Sequence, residues 1–252
     1  FYGMDTALAF QNFKNKYGYT IHPNSAKFKQ WAANEFFSLT TLFPTVNKNE
    51  IHQIDLSTST AFIGGIEEFN DLAFFQKKLE ALQKRVPTKI IAGGYLEKRG
   101  LYTSDIYKRE CDNGFERRNI HLGLDFWLPE NTPVHALLDG EVVCVTDDAY
   151  PKGYGGLLIL KHQVADFHFY TLYGHNTVQS VQKHVIGSRI KKGTQIAVLA
   201  NASENGDWVP HLHFEIMLSR LDYTDDFPGV AFESELAIWK SICPDPNLLF
   251  KL

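Results

Sequence analysis

From residue 120 onward, apolar and polar positions alternate in short runs, separated by Gly, Pro, Asn and Asp. Runs at 132–137, 140–146, 157–161, 168–173, 195–199 and 211–218 are rich in Val, Ile, Leu, Tyr and Phe. Each has the length and content of a strand. Many short strands with turn signals between them predict an antiparallel sandwich or barrel. Before residue 95 the period is different. Phe28, Trp31, Ala32, Phe36 and Leu39 recur at helical spacing behind Asn24 or Ser25, either of which suits a helix cap. The Phe43-Pro44 pair and the polar run 47–49 read as a loop. Ile51, Ile54 and Leu56 suggest a short strand. Leu72, Phe75, Leu79, Leu82 and Val86 mark a second helix that Pro87 stops. A strand over 89–92 follows, broken by Gly93-Gly94. The pattern divides the chain into an α/β segment, 1–92, and a mainly β domain, 93–252.

The strand predicted at 211–218 has two chemically different faces. Side chains alternate across a strand, so His211, His213 and Glu215 share one face, and Leu212, Phe214 and Ile216 share the other. Two imidazoles so placed have Cα atoms roughly 6.7 Å apart. That spacing suits one imidazole on a metal and one beside its water, and it also suits two ligands on one ion. A solvated polar face is the plain competing reading, and two histidines opposite a solid apolar stripe weaken it. A second stretch, Arg118-Asn119-Ile120-His121-Leu122-Gly123-Leu124-Asp125, sets a histidine and a carboxylate four residues apart. On a straight strand they would lie about 13 Å apart. Bonds from zinc to imidazole nitrogen or carboxylate oxygen are only about 2.0–2.2 Å long. The chain must therefore bend between them. Gly123 sits midway, can take the dihedrals of a bend, and puts no side chain between the ligands.

A catalytic zinc takes three protein ligands and keeps a fourth position for water. Either His213 or His211 can complete the set begun by His121 and Asp125. Two imidazoles and one carboxylate leave the ion a strong Lewis acid. The remaining histidines can then act as base and as transition-state stabiliser. His175 ends a Tyr-Gly-His triplet after an apolar strand, where a loop could present it to the site.

These three stretches, in this order, resemble the lysostaphin-type zinc metallopeptidases, which cleave peptide cross-links in bacterial cell walls. Gly123 falls on that family's glycine. Pro133, Val134 and Ala136 with Gly140 and Val142 look like its next hairpin. Tyr154-Gly155 with Ile159 and His162 look like its central strands, and 185–197 like the hairpin before its last motif. The resemblance covers about 117–218. It implies an antiparallel barrel-sandwich hybrid. It implies one zinc per chain on His121, Asp125 and His213, with His211 as general base and His175 as second catalytic histidine. It implies peptide or peptidoglycan as the substrate partner. Glu215 could orient an imidazole from behind. The turn 205–210 departs from the family's small-residue turn, and Trp208 beside the site is expected to wall off part of the groove. The stretches 95–107, 226–230 and 244–247 look like a branch in which this domain is fused between a kinase-like phosphotransferase and a pyridoxal-dependent aminotransferase-like domain. Wall hydrolysis implies an extracytoplasmic protein, and the fused branch implies a cytoplasmic one.

Composition narrows the alternatives. A net charge of −4 and a pI near 6.2 give no cationic field for phosphate backbones, so nucleic acid is not an expected partner. No apolar run approaches the ~20 residues of a membrane helix, and no signal peptide is visible. Cys111, Cys144 and Cys243 match no zinc knuckle or redox spacing and read as packed thiols. His22, His52, His135, His162, His168 and His184 read as structural or exposed. Arg117 and Arg118 read as a solvated pair rather than a clamp for substrate carboxylates. Two other functions compete with a zinc endopeptidase. One is a zinc-binding scaffold without hydrolysis. The other is a phosphocarrier or lipoyl-like domain, which also uses close histidines but has no need for the carboxylate of Asp125.

Overall fold

The two-faced strand lies at the middle of the main sheet. The computed structural model describes residues 5–252 except 61, 63, 112, 113 and 149. In it, His211–Met217 lies between Leu124–Trp127 and Phe167–Asn176, antiparallel to both. Beyond Phe167–Asn176 come Gly155–Val164, Gly140–Asp148 and the short Arg189–Ile190. On the other side Ile90–Gly93 pairs antiparallel with Leu124–Trp127, and Ile51–Gln53 adds to it in parallel. The eight-stranded sheet stays open. Two smaller sheets flank it, one pairing Gln195–Val198 with Pro133–His135, the other joining Val230–Phe232, Gly114–His121 and Lys108–Cys111. The protein is mainly β, with a helical N-terminal segment.

The one parallel pair among the described residues comes from the strand–helix–strand stretch. Parallel neighbours need a crossover of a dozen or more residues, and the helix Leu72–Arg85 supplies it. Asp71 starts that helix by accepting the Phe74 N–H at 2.9 Å, and the chain leaves it at Val86, just before Pro87. The helix expected to reach Leu39 is shorter. Ser25–Asn34 ends at an extended Glu35, Phe36 is left exposed, and Leu39 opens a separate turn capped by Ser38. The helix Thr6–Tyr17 has little apolar periodicity and was not predicted. Asp5 caps its start, and Gly18, at φ 80°, closes its end in the left-handed region.

Both faces of the main sheet are covered. Leu212, Phe214 and Ile216 pack with Phe126, Leu158 and Leu160 beneath Phe28 and Ala32 of the helix Ser25–Asn34. The opposite face buries Leu157, Ile159, Leu172 and Met217 against Ile120, Leu122 and Trp239. Each such Leu or Phe contributes about 1.5–3 kcal/mol on burial. Because the second layer closes over it, the polar face of His211–Met217 is buried too.

His162, in the strand Gly155–Val164, is structural as expected. Its Nδ1 donates to the Asp139 carbonyl at 2.8 Å, and its Nε2 lies 2.7 Å from the Thr171 hydroxyl. Burial holds it neutral, pushing its pKa from 6.5 down to about 4. A depressed histidine stabilises the fold fully above pH 6.5 and progressively less as pH falls toward 4. A displacement of that size corresponds to roughly 3 kcal/mol. The stability gap between the protein and its His162→Gln variant should therefore shrink by about that amount between pH 7 and 4 in urea titrations. A gap that does not change with pH would mean that His162 keeps an ordinary pKa.

Candidate metal centre

Three groups from two adjacent strands and their approach converge at one point. Asp125 sits on Leu124–Trp127 directly opposite His213 on His211–Met217. His121 ends the strand Gly114–His121, and Leu122-Gly123 turns the chain from that sheet into the main one. His121 Nε2 lies 2.9 Å from His213 Nδ1. Asp125 Oδ1 lies 3.2 Å from His213 Nδ1 and 3.3 Å from His121 Nε2. For a tetrahedral ion with bonds of 2.0–2.1 Å, ligand atoms are separated by about 3.3–3.4 Å. The observed triangle is close to one face of that tetrahedron.

The outer partners of the two rings fix which nitrogens face inward. His121 Nδ1 is 2.9 Å from the Gly94 carbonyl, which can only accept. His213 Nε2 is 3.1 Å from a Glu215 carboxylate oxygen. Each ring donates outward, so two lone pairs and a carboxylate oxygen face one another with no donor between them. A proton or a cation must satisfy that arrangement. Burial pulls the His213 pKa down, but hydrogen bonds to Asp125 and Glu215 outweigh it and raise it to about 9. The same field favours a bound cation. Around it, Asp125 and Glu97 share the guanidinium of Arg99, and Glu215 pairs with His213.

His211 and His175 complete the cluster. His211 Nδ1 donates to the Val209 carbonyl at 2.7 Å, its ring stacks on Trp127, and its Nε2 lies 3.8 Å from Asp125 Oδ1. His175 Nδ1 donates to the Asn205 carbonyl at 3.1 Å, and its ring centroid is 4.3 Å from that of His211. Both therefore present Nε2 inward as an acceptor. Burial lowers both pKa values, and in His175 the neighbouring His211 lowers it further. His121 falls to about 3, by burial and then by the charge of Arg99. Asp125 is held well below the carboxylate range because His121 and Arg99 overcome the cost of burial. A neutral His121 beside an ionised Asp125 is the state that metal binding needs, whereas His213 gives up its proton when a cation takes its place.

The structure differs from expectation in three details. His175 lies within the strand Phe167–Asn176 rather than on a loop, at φ 67°, a left-handed conformation uncommon for a residue with a side chain. Gly123 is not in the left-handed region. Its role is space, since a Cβ there would lie 2.5 Å from His213 Cε1 and 2.8 Å from the Phe214 carbonyl oxygen. Arg117 is half-buried and tied locally, its Nη1 donating to the carbonyls of Thr103 and Ser104 at 3.0 and 3.1 Å. Trp208 walls the site as expected, with its indole N–H on the Gly153 carbonyl at 3.0 Å. Glu215 orients His213.

Arg99, Glu97, Gly94 and Tyr154 were not assigned to the site from sequence. Arg99 Nη1 donates to Asp125 Oδ2 at 2.6 Å, and its Nε donates to Glu97 at 2.8 Å. The Tyr154 ring lies 5.5 Å from both His175 and His213, and its hydroxyl has no partner among the described residues. No local spacing signals these residues. Arg99 and Asp125 are 26 positions apart.

The model of peptidase family M23 matches residues 119–224. This region is an M23 domain. Over 94 residues the chain is 32% identical to the uncharacterized lipoprotein YgeR of Escherichia coli strain K12, covering 37% of this chain and 33% of that protein. The chain thus spans about a third of the length of this curated relative. A zinc containing peptidase from Vibrio cholerae is 31% identical, over 44% of this chain and 30% of that one, with a TM-score of 0.32. The catalytic domain of lysostaphin from Staphylococcus simulans is 22% identical, over 47% of this chain and 80% of that one, also with a TM-score of 0.32. The M23 match begins at residue 119 and so includes His121, Asp125, His175, His211 and His213, but neither Glu97 nor Arg99.

Proposed function

We propose that this chain is a zinc-dependent metalloendopeptidase acting on peptide bonds of peptidoglycan-type peptides. The convergence of His121 Nε2, His213 Nδ1 and Asp125 Oδ1 within 2.9–3.3 Å carries the reading. These three residues hold one zinc. When bound, zinc supplies Lewis acidity toward a water molecule and a peptide carbonyl. His211 takes a proton at Nε2, which its bond to the Val209 carbonyl keeps free and aimed inward. His175, anchored the same way on Asn205 and beside His211 in the same cavity, presents Nε2 as an acceptor and helps to polarise the attacking water. Glu215 acts by holding His213, and Arg99, which lines the cavity, holds Asp125.

The test is zinc content together with hydrolysis, on the protein and on His211→Ala. Both should hold zinc stoichiometrically. The variant should lose roughly 10²–10⁴-fold in rate on short Gly- and Ala-containing peptides, the usual contribution of a positioned base. Zinc in both proteins without hydrolysis by either would favour a metal-binding scaffold, a reading to which the burial of all five site residues lends some weight. No zinc in either after reconstitution would remove the proposal.

A further inference from the structure

The metal centre does not lie on an open groove. His121, Asp125 and His213 are 1–3% exposed, and His175 and His211 are 6%. They face a cavity of about 310 Å³, at the small end of the range for ligand pockets.

The segment 101–107, which precedes the M23 match, closes one side of this cavity. Its course is fixed at several points. Upstream, Leu96, Glu97 and Arg99 exchange backbone hydrogen bonds with Asn119 and His121. Leu101 and Tyr102 are buried in one apolar cluster with Phe75, Trp127, Trp208 and Val230. Arg117 holds the carbonyls of Thr103 and Ser104. At the far end the Tyr107 hydroxyl donates to the Lys152 carbonyl. Lys152 is tied in turn to the 205–208 turn, through its N–H on the Gly206 carbonyl at 2.8 Å. The rings of Tyr102, Tyr107 and Trp208 fill the space between. The segment therefore runs from the strand Gly114–His121 to the loop at Lys152 along one side of the histidine cavity. Leu101 and Tyr102 belong to the core and the Tyr107 hydroxyl ties the far end, so the segment is anchored at both ends although Thr103, Asp105 and Ile106 between them are exposed.

A polymer lying across the metal centre toward this side would have to pass through this wall. We infer that the cavity admits the end of a short linear peptide and excludes chains that must run through the site, including intact cross-linked peptidoglycan. The inference rests on the peptidase reading and names its substrate class, which is free short peptides with an accessible terminus. Tyr102, Tyr107 and Trp208 are the specificity-determining residues, because they close the path that a continuing chain would take.

Three substrates separate the outcomes: linear tri- to hexapeptides of Gly and Ala, head-to-tail cyclic peptides of the same composition, and insoluble peptidoglycan. The zinc-loaded protein should cleave the linear peptides and should be at least roughly a hundredfold slower on the other two, the cost of failing to reach attack geometry. Binding gives a second readout. Linear peptides should quench the fluorescence of Trp127 and Trp208 in zinc-loaded His211→Ala, and cyclic peptides should not. Tyr107→Ala should narrow the difference by opening the wall. Comparable cleavage of cyclic peptide or peptidoglycan by the unaltered protein would overturn the inference and leave the peptidase standing. Failure to cleave any of the three would remove the peptidase reading and the inference with it.

Discussion

Asp125→Ala should lose both bound zinc and several kcal/mol of stability, and the two losses should be separable. One carboxylate serves two purposes here. Its Oδ1 faces His121, His213 and His211, and its Oδ2 accepts from Arg99 at 2.6 Å. Removing it takes away a ligand and leaves the guanidinium, 3% exposed, with Glu97 as its remaining carboxylate. Breaking one side of a buried ion pair costs about 3–5 kcal/mol. The lost stabilisation by bound metal adds to this by mass action. Denaturation in excess chelator isolates the first term, and repeating it with added zinc gives the second. The chelated variant should be destabilised by about 3–5 kcal/mol, and zinc should stabilise the unaltered protein but not the variant. Stoichiometric zinc in Asp125→Ala would exclude this carboxylate as a ligand.

The histidine cluster was legible because its signal is local. A strand places alternate residues on one face, so His211 and His213 had to be neighbours whatever the tertiary structure. The apolar stripe of Leu212, Phe214 and Ile216 said which face was which, and those residues do lie in the core. The His121–Asp125 spacing required a bend, and a bend is present. Of the two reasons read for Gly123, the missing side chain between the ligands holds and the special dihedrals do not, because the crowding there comes from the His213 ring and the Phe214 carbonyl. The short strands were legible in position, if less so in extent: 168–173 grew to Phe167–Asn176 once pairing on both sides supported its ends. The covering layer was not legible. Glu97 and Arg99 sit in a stretch without periodicity, and tertiary hydrogen bonds to Asn119 and His121 alone bring them to the centre. Burial on both faces was hidden for the same reason, since a polar strand face looks solvated until something packs over it.

The second large effect belongs to that covering layer. Arg99→Met should weaken zinc binding by about 10–100-fold, the usual range for a partner behind a metal ligand. It should also destabilise the metal-free protein by about 3–5 kcal/mol, because Asp125 and Glu97 then remain buried without their shared cation. The guanidinium engages Asp125 at Oδ2 and Glu97 through Nε, which holds the Asp125 carboxylate in one orientation with Oδ1 toward the histidines. A lysine keeps the charge but lacks the planar fork that spans both carboxylates. Arg99→Lys should therefore recover much of the stability and little of the metal affinity. Chelator competition measures the affinity. The visible absorption of the cobalt-substituted protein reports ligand geometry, which general loosening of the fold would not shift in a defined way. Both variants should show an altered cobalt spectrum. If Arg99→Met binds zinc as tightly as the unaltered protein and leaves the cobalt spectrum unchanged, Arg99 stabilises the fold alone and Asp125 is oriented by the histidines themselves.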